Sequence, residues 1–395
     1  MSQVTDDNPL LRHLIAQHIL NQPQQRISFA EYMDLVLYHP KAGYYSTQAL
    51  HIGAGGDFYT SPHLGSDFGE LLAEQLVQMW QILGLPVPFT LVEMGGGQGI
   101  LAGDVLRAIH DRRPDCFQAL QYIIVEKSPL LRAAQEKQLS LWSELRWQTL
   151  AEIPSDSITG CFFSNELVDA FPVHRVTIED GDLRELYVTA HEGDAGPEFA
   201  DGVGELSTSQ LVDYFSLVGI DLLSGSYADG YRSEVNLTAL DWLAAVADRL
   251  HRGYVLTIDY GYPASRYYSL TRREGTLQCY YRHTHHSDPY IHVGWQDLTA
   301  HVDFTALERW GEQKGLQTIG FTRQGLFLMA LGMGERMAAL TRGTDQPLAE
   351  RLRRREALHG LINPMGLGNF GVLVQAKNLT PEERDSPLQG LYQPE

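Results

Sequence analysis

Residues 91–100 read LVEMGGGQGI: an apolar run, a single glutamate, then four glycines within five positions. The apolar residues of FTLVEM predict a buried strand, and ILAGDVLRAIHDR, directly after the glycines, has the apolar spacing of a helix. A strand that turns through glycines into a helix is the arrangement that seats nucleotides and nucleosides. The missing side chains let the main chain approach the ligand, and the helix start offers unpaired N–H groups. Two glycine fingerprints compete for this loop. The dinucleotide pattern G-x-G-x-x-G, started at Gly95 and Gly97, demands a small residue at position 100, where Ile100 stands. Started at Gly97 and Gly99 it is completed by Ala102, but Gly95 and Gly96 are then left without a task. The pattern acidic-x-G-x-G-x-G is filled throughout, by Glu93, Gly95, Gly97 and Gly99.

This second pattern resembles the first motif of class I S-adenosylmethionine (SAM) methyltransferases, in which the loop packs under the methionine part of the cofactor. The next strand, YIIVEKS, supplies a check. It sets Glu126 at its carboxyl end, where a carboxylate accepts from both hydroxyls of a ribose. Read alone, Glu126 is an ordinary strand-end charge; read with Glu93 and the glycines it completes a cofactor site.

Outward from the loop, strand and helix signals alternate: FTLVEM, ILAGDVLRAIHDR, LQYIIVEKS, PLLRAAQEKQLS, then GCFFSNELVDAF. That rhythm predicts βαβ units around a mainly parallel sheet, an α/β fold of Rossmann-like class. Residues 1–88 read as mainly helical, with the amphipathic DFGELLAEQLVQMWQIL and a Gly-rich loop, HIGAGGDFYTSP. Residues 89–175 form the first half of the core. After Pro172 the rhythm breaks into a hairpin and a Gly- and acid-rich loop, so residues 176–232 are predicted to be an α+β insertion. Residues 233–378 resume the core, with GLFLMALGM and FGVLVQAK completing the sheet, and residues 379–395 are a tail.

Of the 395 residues, 44% are hydrophobic and 20% charged, an ordinary globular balance. Acidic residues outnumber basic ones by 49 to 30, a net charge of −19. That field repels phosphate backbones, which argues against nucleic acid and for a cationic partner. The dense basic run RLRRRE, residues 351–356, is expected on a solvated helix face. Three scattered cysteines, Cys116, Cys161 and Cys279, argue against disulfides and thiolate zinc, and suggest a reducing, cytoplasmic setting. No apolar run approaches the ~20 residues that cross a bilayer, and the first twenty residues do not read as a signal peptide.

Three further constellations carry chemistry. In SNELVDAFP, Glu166 and Asp169 are three apart, so one helical turn would set two carboxylates on one side, as a guanidinium requires. Asn165 would orient either partner; N-capping by Ser164 or Asn165 is the structural alternative. In TIDYGY, Asp259 and Tyr260 end a later strand, with the Tyr260 ring as a cation–π surface or the Asp as a plain turn former. His283, His285 and His286 with Asp288 are too irregularly spaced for a metal centre, and none is predicted. His301 is a candidate substrate contact or proton acceptor.

The segments GAGGDFYTSP…FGELLA, VEMGGGQGILAGDVLR, SNELVDAFPVHR, VLTIDYGY, GTLQCYYRH, DLTAHVDFTAL and INPMGLGNFGVLVQ occur in that order. In this the chain resembles the MidA-like SAM-dependent methyltransferases, whose mitochondrial members are called complex I assembly factor 7. The resemblance implies a SAM cofactor and methylation of arginine on a partner protein such as a complex I-type subunit. It places Gly95, Gly97 and Glu126 at the cofactor, lined from the N-terminal loop by Asp57, Thr60 and Ser61. In this family the loop often reads GxGRGT; here Gln98 and Ile100 replace the arginine and threonine. Two other classes are weighed: a non-catalytic assembly factor on the same fold, and an NAD-dependent oxidoreductase, which Ile100 disfavours.

Overall fold

The apolar runs around the glycine loop become neighbouring strands of one seven-stranded sheet. In chain order these are β1 (Phe89–Met94), β2 (Leu120–Val125), β3 (Leu145–Trp147), β4 (Ile158–Asn165), β5 (Leu250–Asp259), β6 (Gln317–Arg323) and β7 (Gly371–Lys377), lying side by side as β6-β7-β5-β4-β1-β2-β3. The pairs β1–β2, β1–β4, β2–β3 and β4–β5 are parallel; β7 runs antiparallel to both β5 and β6. This is the expected mainly parallel Rossmann-like sheet. Every residue of β1 is buried, the pattern of a central parallel strand covered on both faces. The computed structural model describes residues 7–48, 60–194, 196–282, 284–342 and 347–392.

The chain divides into two compact units, and the boundaries differ from those expected from sequence. The sheet belongs to the unit made of residues 59–167, 243–260 and 311–395; the other unit is residues 1–58, 168–242 and 261–310. The N-terminal 88 residues are therefore not one region: the helix α1 (Asp67–Ile82) packs with the sheet, through Phe68, Leu72, Leu76 and Met79 in the same apolar core as Leu91 and Tyr122. Residues 261–310, read as part of the core, belong with the insertion.

In the sheet unit, β1 leads into helix α2 (Ile100–Arg112) and β2 into helix α3 (Pro129–Gln138), which begins at Ser128, whose Oγ accepts from the Leu131 N–H, with Pro129 at its first position. The segment GLFLMALGM is not a strand. Residues 324–328 are helical and continue into a π-helical turn, Met329–Met333, while the preceding QTIGFTR forms β6. Short apolar runs carry no periodicity that separates buried strand from buried helix, and here Phe327, Leu328, Leu331 and Met333 bury at helical positions. Nor is the basic run purely solvated. Arg354 makes two 2.8 Å bonds to the Asp67 carboxylate, which also accepts from Arg336 at 2.8 Å, and Arg351 donates to the Leu340 carbonyl. Asp67 is buried. Burial works against its charge, yet the bonds from Arg354 and Arg336 outweigh it and hold the carboxyl below its ordinary value.

The other unit is a mixed structure built on antiparallel pairings. Strands Arg26–Ser28, His174–Glu179, Asp182–Gly193, Gly196–Gly204 and Arg232–Val235 make a five-stranded sheet. Three shorter strands, Gln278–Tyr281, Thr284–His286 and Asp297–Thr299, pair separately. Helices Pro9–Leu20 and Phe29–Tyr38 share an apolar cluster with Cys279 and Leu298. Asp303 Oδ1 accepts from the Thr305 and Ala306 N–H groups and so caps the following helix.

Candidate functional site

The strand order reverses between β1 and β4: from β1 the chain builds outward through β2 and β3, and from β4 outward through β5. In open α/β sheets ligands settle at such a switch point, beyond the carboxyl ends of the strands. The glycine loop leaves β1 there, and Asn165 ends β4 there.

Gly95, Gly97 and Gly99 have φ of 72°, 52° and 81°, left-handed conformations in which a side chain is strained. Each also meets a different neighbour. A Cβ on Gly95 would sit 2.7 Å from the Leu167 side chain, and one on Gly99 would sit 3.1 Å from Leu139. One on Gly97 would meet no described atom within 4 Å. The outer two glycines thus fit the loop into the protein, and at the middle one no described atom stands where a side chain would go.

Glu93 lies beneath the loop, 3% exposed, and its carboxylate accepts from the Tyr122 hydroxyl at 2.6 Å. Burial pushes its pKa up to about 7; the Tyr122 bond opposes this, and the nearby Glu126 adds to it. Glu93 is therefore a buttress whose oxygen already has a partner. Glu126, at the end of β2, is gripped from one side: Oε1 accepts from the Ser128 N–H at 2.8 Å, and Oε2 from Gln135 Nε2 at 3.3 Å. Burial raises its pKa, and those hydrogen bonds, with others from the backbone of Lys127 and Gly97, pull it back. A carboxylate oriented by donors next to a cleared main-chain loop fits the ribose end of a nucleoside.

Gln135 was not singled out from sequence. It is fully buried, and besides Glu126 its Nε2 donates to the Gly97 carbonyl at 2.7 Å, while its Oε1 accepts from Trp147 Nε1 at 2.9 Å. The available signal was a polar residue four positions after Leu131, on the face of α3 that the helix buries.

At the end of β4, Glu166 has a φ of 52°, so no helical turn starts there. Its Oε1 accepts from the Ser61 N–H at 3.1 Å and from Asn165 Nδ2 at 2.9 Å. Ser61 is buried and donates through Oγ to Gln324 Oε1 at 3.2 Å; Thr60 Oγ1 lies 2.6 Å from His63 Nδ1. The Oδ1 of Asn165 is buried and has no hydrogen-bond partner among the described residues. Asp169 occupies a separate 3-10 turn, Val168–Ala170, in the other unit, so the expected single helical face with Glu166 does not form. Asp259 is fully buried, with Oδ1 accepting from the Tyr260 N–H at 2.8 Å and Oδ2 from the Leu167 N–H at 3.2 Å, which makes it a turn former. The Tyr260 ring packs against Phe370 at 5.5 Å.

His301 also lies in the other unit. Its ring stacks on Tyr262 at 5.1 Å, and burial lowers its pKa to about 4, so it is neutral near pH 7 and a weak base. Asp57 lies outside the described residues. Among the described residues no group of three or more His, Cys, Asp or Glu is placed to hold a metal, no helix is long and apolar enough to cross a membrane, and Cys116, Cys161 and Cys279 are buried and free.

Residues 71–322 match the model of a protein family described as "Putative S-adenosyl-L-methionine-dependent methyltransferase". The chain is 32% identical, over 77% of its length and 71% of the relative's, to the protein arginine methyltransferase NDUFAF7 homolog, mitochondrial, of Drosophila melanogaster. It is 28% identical to protein arginine methyltransferase NDUFAF7, mitochondrial, of Homo sapiens, over 94% of this chain and 84% of that one. A crystal structure of a Burkholderia thailandensis protein bound to S-adenosyl-homocysteine superposes with a TM-score of 0.82 at 30% identity, covering 96% of this chain and 94% of that chain. The names of the two relatives overturn the cytoplasmic setting expected from composition, because both are mitochondrial proteins. Unpaired cysteines do not name a compartment. With its glycine loop, its oriented strand-end carboxylate and these matches in agreement, the chain belongs to this family of methyltransferases, and its cofactor is SAM.

Proposed function

We propose that this protein methylates an arginine side chain on a partner protein, a subunit of respiratory complex I type, and that the end of β4 prepares the acceptor nitrogen. The observation that carries the reading is the pairing of the cleared Gly97 surface with the gripped carboxylate of Glu126 at the switch point. SAM, when bound, supplies a methyl group on a sulfonium that needs no further activation. The protein's share is positioning, desolvation and charge. Glu126 would accept from the ribose hydroxyls, and Gly97 would let the main chain pass close beneath the cofactor. Glu166, with its carboxylate engaged by Ser61 and Asn165, is a positioning residue that holds Thr60 and Ser61 in place. Asn165 Oδ1 would accept an N–H of the guanidinium and orient that nitrogen toward the methyl carbon; transfer would break the S–C bond, form the N–C bond and release one proton from the nitrogen to solvent. The names of the relatives support arginine as the target, and the excess of 49 acidic over 30 basic residues favours a cationic segment. His301, with its low basicity, is assigned no proton in this reading.

The test has two arms. The protein is titrated calorimetrically with SAM, with NAD as control; Glu126→Ala is expected to weaken SAM binding about tenfold or more. It is then incubated with methyl-labelled SAM and complex I-type subunits, and the labelled residues are identified by mass spectrometry. Methyl-arginine that is lost in Glu126→Ala supports the reading. SAM binding with label on lysine, or with no label on any client, sinks the arginine assignment while leaving the cofactor intact.

A further inference from the structure

We propose that Gln135 is the positioning residue that sets SAM affinity, by holding the glycine loop and the ribose carboxylate in one fixed relation. The inference rests on the cofactor reading above and adds to it a residue that touches neither end of the ligand itself. Gln135 engages both ends of its amide at once. Its amide nitrogen faces two acceptors, the Gly97 carbonyl at 2.7 Å and Glu126 Oε2 at 3.3 Å, and its amide oxygen faces a donor, Trp147 Nε1 at 2.9 Å. A carbonyl and a carboxylate can only accept, and an indole N–H can only donate, so the amide has one permitted orientation. Its stem also fills the underside of the loop: a Cβ on Gly96 would come within 3.2 Å of Nε2, and one on Gly99 within 3.3 Å of Cγ. The loop from β1, the carboxylate from β2 and the indole from β3 thus meet on one side chain of α3.

This arrangement makes a charge-specific forecast. A glutamate at position 135 has the same shape, but it sets a third acceptor against the Gly97 carbonyl and a second anion against Glu126. The titratable groups facing it are Glu126 and, electrostatically coupled to Glu126 from β1, Glu93. On its own helix Arg132 and Glu136 are exposed and pair with each other at 3.0 Å. Two adjacent carboxylates share a proton when the pH is low enough and repel when both are charged. SAM affinity in Gln135→Glu should therefore fall as pH rises. Because Glu93 titrates in every variant, the ratio of variant to wild-type Kd at each pH isolates the new charge.

The experiment is calorimetric titration of the full-length wild type, Gln135→Glu and Gln135→Met with SAM at pH 6, 7 and 8, with thermal unfolding of each. The expected result is a Kd ratio for Gln135→Glu of about tenfold or more at pH 8 that narrows toward pH 6. For Gln135→Met the ratio is raised but flat with pH. A folded Gln135→Glu protein that binds SAM like wild type at pH 8 overturns the proposal. So does a ratio that is flat and equal to that of Gln135→Met, since packing alone would then account for it. If Gln135→Glu does not fold, wild-type affinity in Gln135→Met overturns it equally. A wild type that takes up no SAM overturns the cofactor reading and this inference together.

Discussion

Replacing Glu93 by glutamine should stabilise the protein at high pH and do nothing of the kind at low pH. Glu93 is 3% exposed, and burial moves its pKa from 4.5 to about 7 despite the hydrogen bond from Tyr122. An acid whose folded pKa is raised contributes stability fully below its unfolded pKa. That contribution is lost as pH climbs through the folded value, because the native state must then carry a buried charge. At 1.36 kcal/mol per tenfold change in proton affinity, the full effect is about 3 kcal/mol, of which roughly 2 to 3 kcal/mol falls between pH 5 and pH 8. Glutamine accepts the same Tyr122 proton, but its amide N–H₂ must be satisfied. That adds a penalty of about 1 kcal/mol that does not vary with pH. The diagnostic quantity is therefore the slope. Urea unfolding of wild type and Glu93→Gln at pH 5, 6, 7 and 8 should show the difference in stability moving toward the variant by that amount. A difference constant across the series would refute the reasoning: Glu93 would then be charged throughout, held by contacts strong enough to cancel its desolvation.

Gly97→Ala should cost stability only about 1 kcal/mol, the strain of a left-handed alanine with open space around its Cβ, yet reduce SAM affinity at least about tenfold; equal affinity in calorimetry would show that the ligand does not lie against that residue. Arg354→Met should lower unfolding free energy by about 1–3 kcal/mol at pH 7, since Asp67 keeps only Arg336. Asp67 has a depressed pKa, so the contribution of the pair is present above the unfolded carboxylate pKa and lost as pH falls, and the variant should converge on wild type under acid. Glu166→Gln keeps an oxygen for the Ser61 N–H and should retain methyl transfer, whereas Glu166→Ala should lose it together with SAM affinity. An inactive Glu166→Gln protein with intact SAM binding would make the carboxylate a contact of the guanidinium.

What could be read from the sequence follows how local the physics is. The glycine loop announces itself because three left-handed positions in five residues leave few options other than glycine, and Glu126 because a strand end is set by its own apolar run. The single helical face expected for Glu166 and Asp169 failed on the same grounds. Spacing of three implies one face only inside a helix, and the left-handed backbone at Glu166 breaks the geometry without any residue type to signal it. GLFLMALGM misled for want of length, and the split of residues 1–88 for want of any long-range term, since α1 declares its apolar face but not which sheet will cover it.

Gln135 shows where such reading stops and why the structure adds something that more motif matching would not. Its role is defined by three partners, Gly97 in the loop after β1, Glu126 just past β2 and Trp147 on β3, at sequence separations of 38, 9 and 12. In its own segment, PLLRAAQEKQ, it is one more polar residue on a polar helix. What distinguishes it is burial on the stripe begun by Leu131, and a fully buried amide persists only where each of its donors and acceptors is met. The glycines specify that some ligand is approached closely; the buried amide beneath them fixes how far the loop stands from the carboxylate. In the proposed reading that separation must match the span of the ligand that both ends would hold. On the proposal above, Gln135 would tune the grip on the cofactor from beneath, at a position outside the glycine pattern.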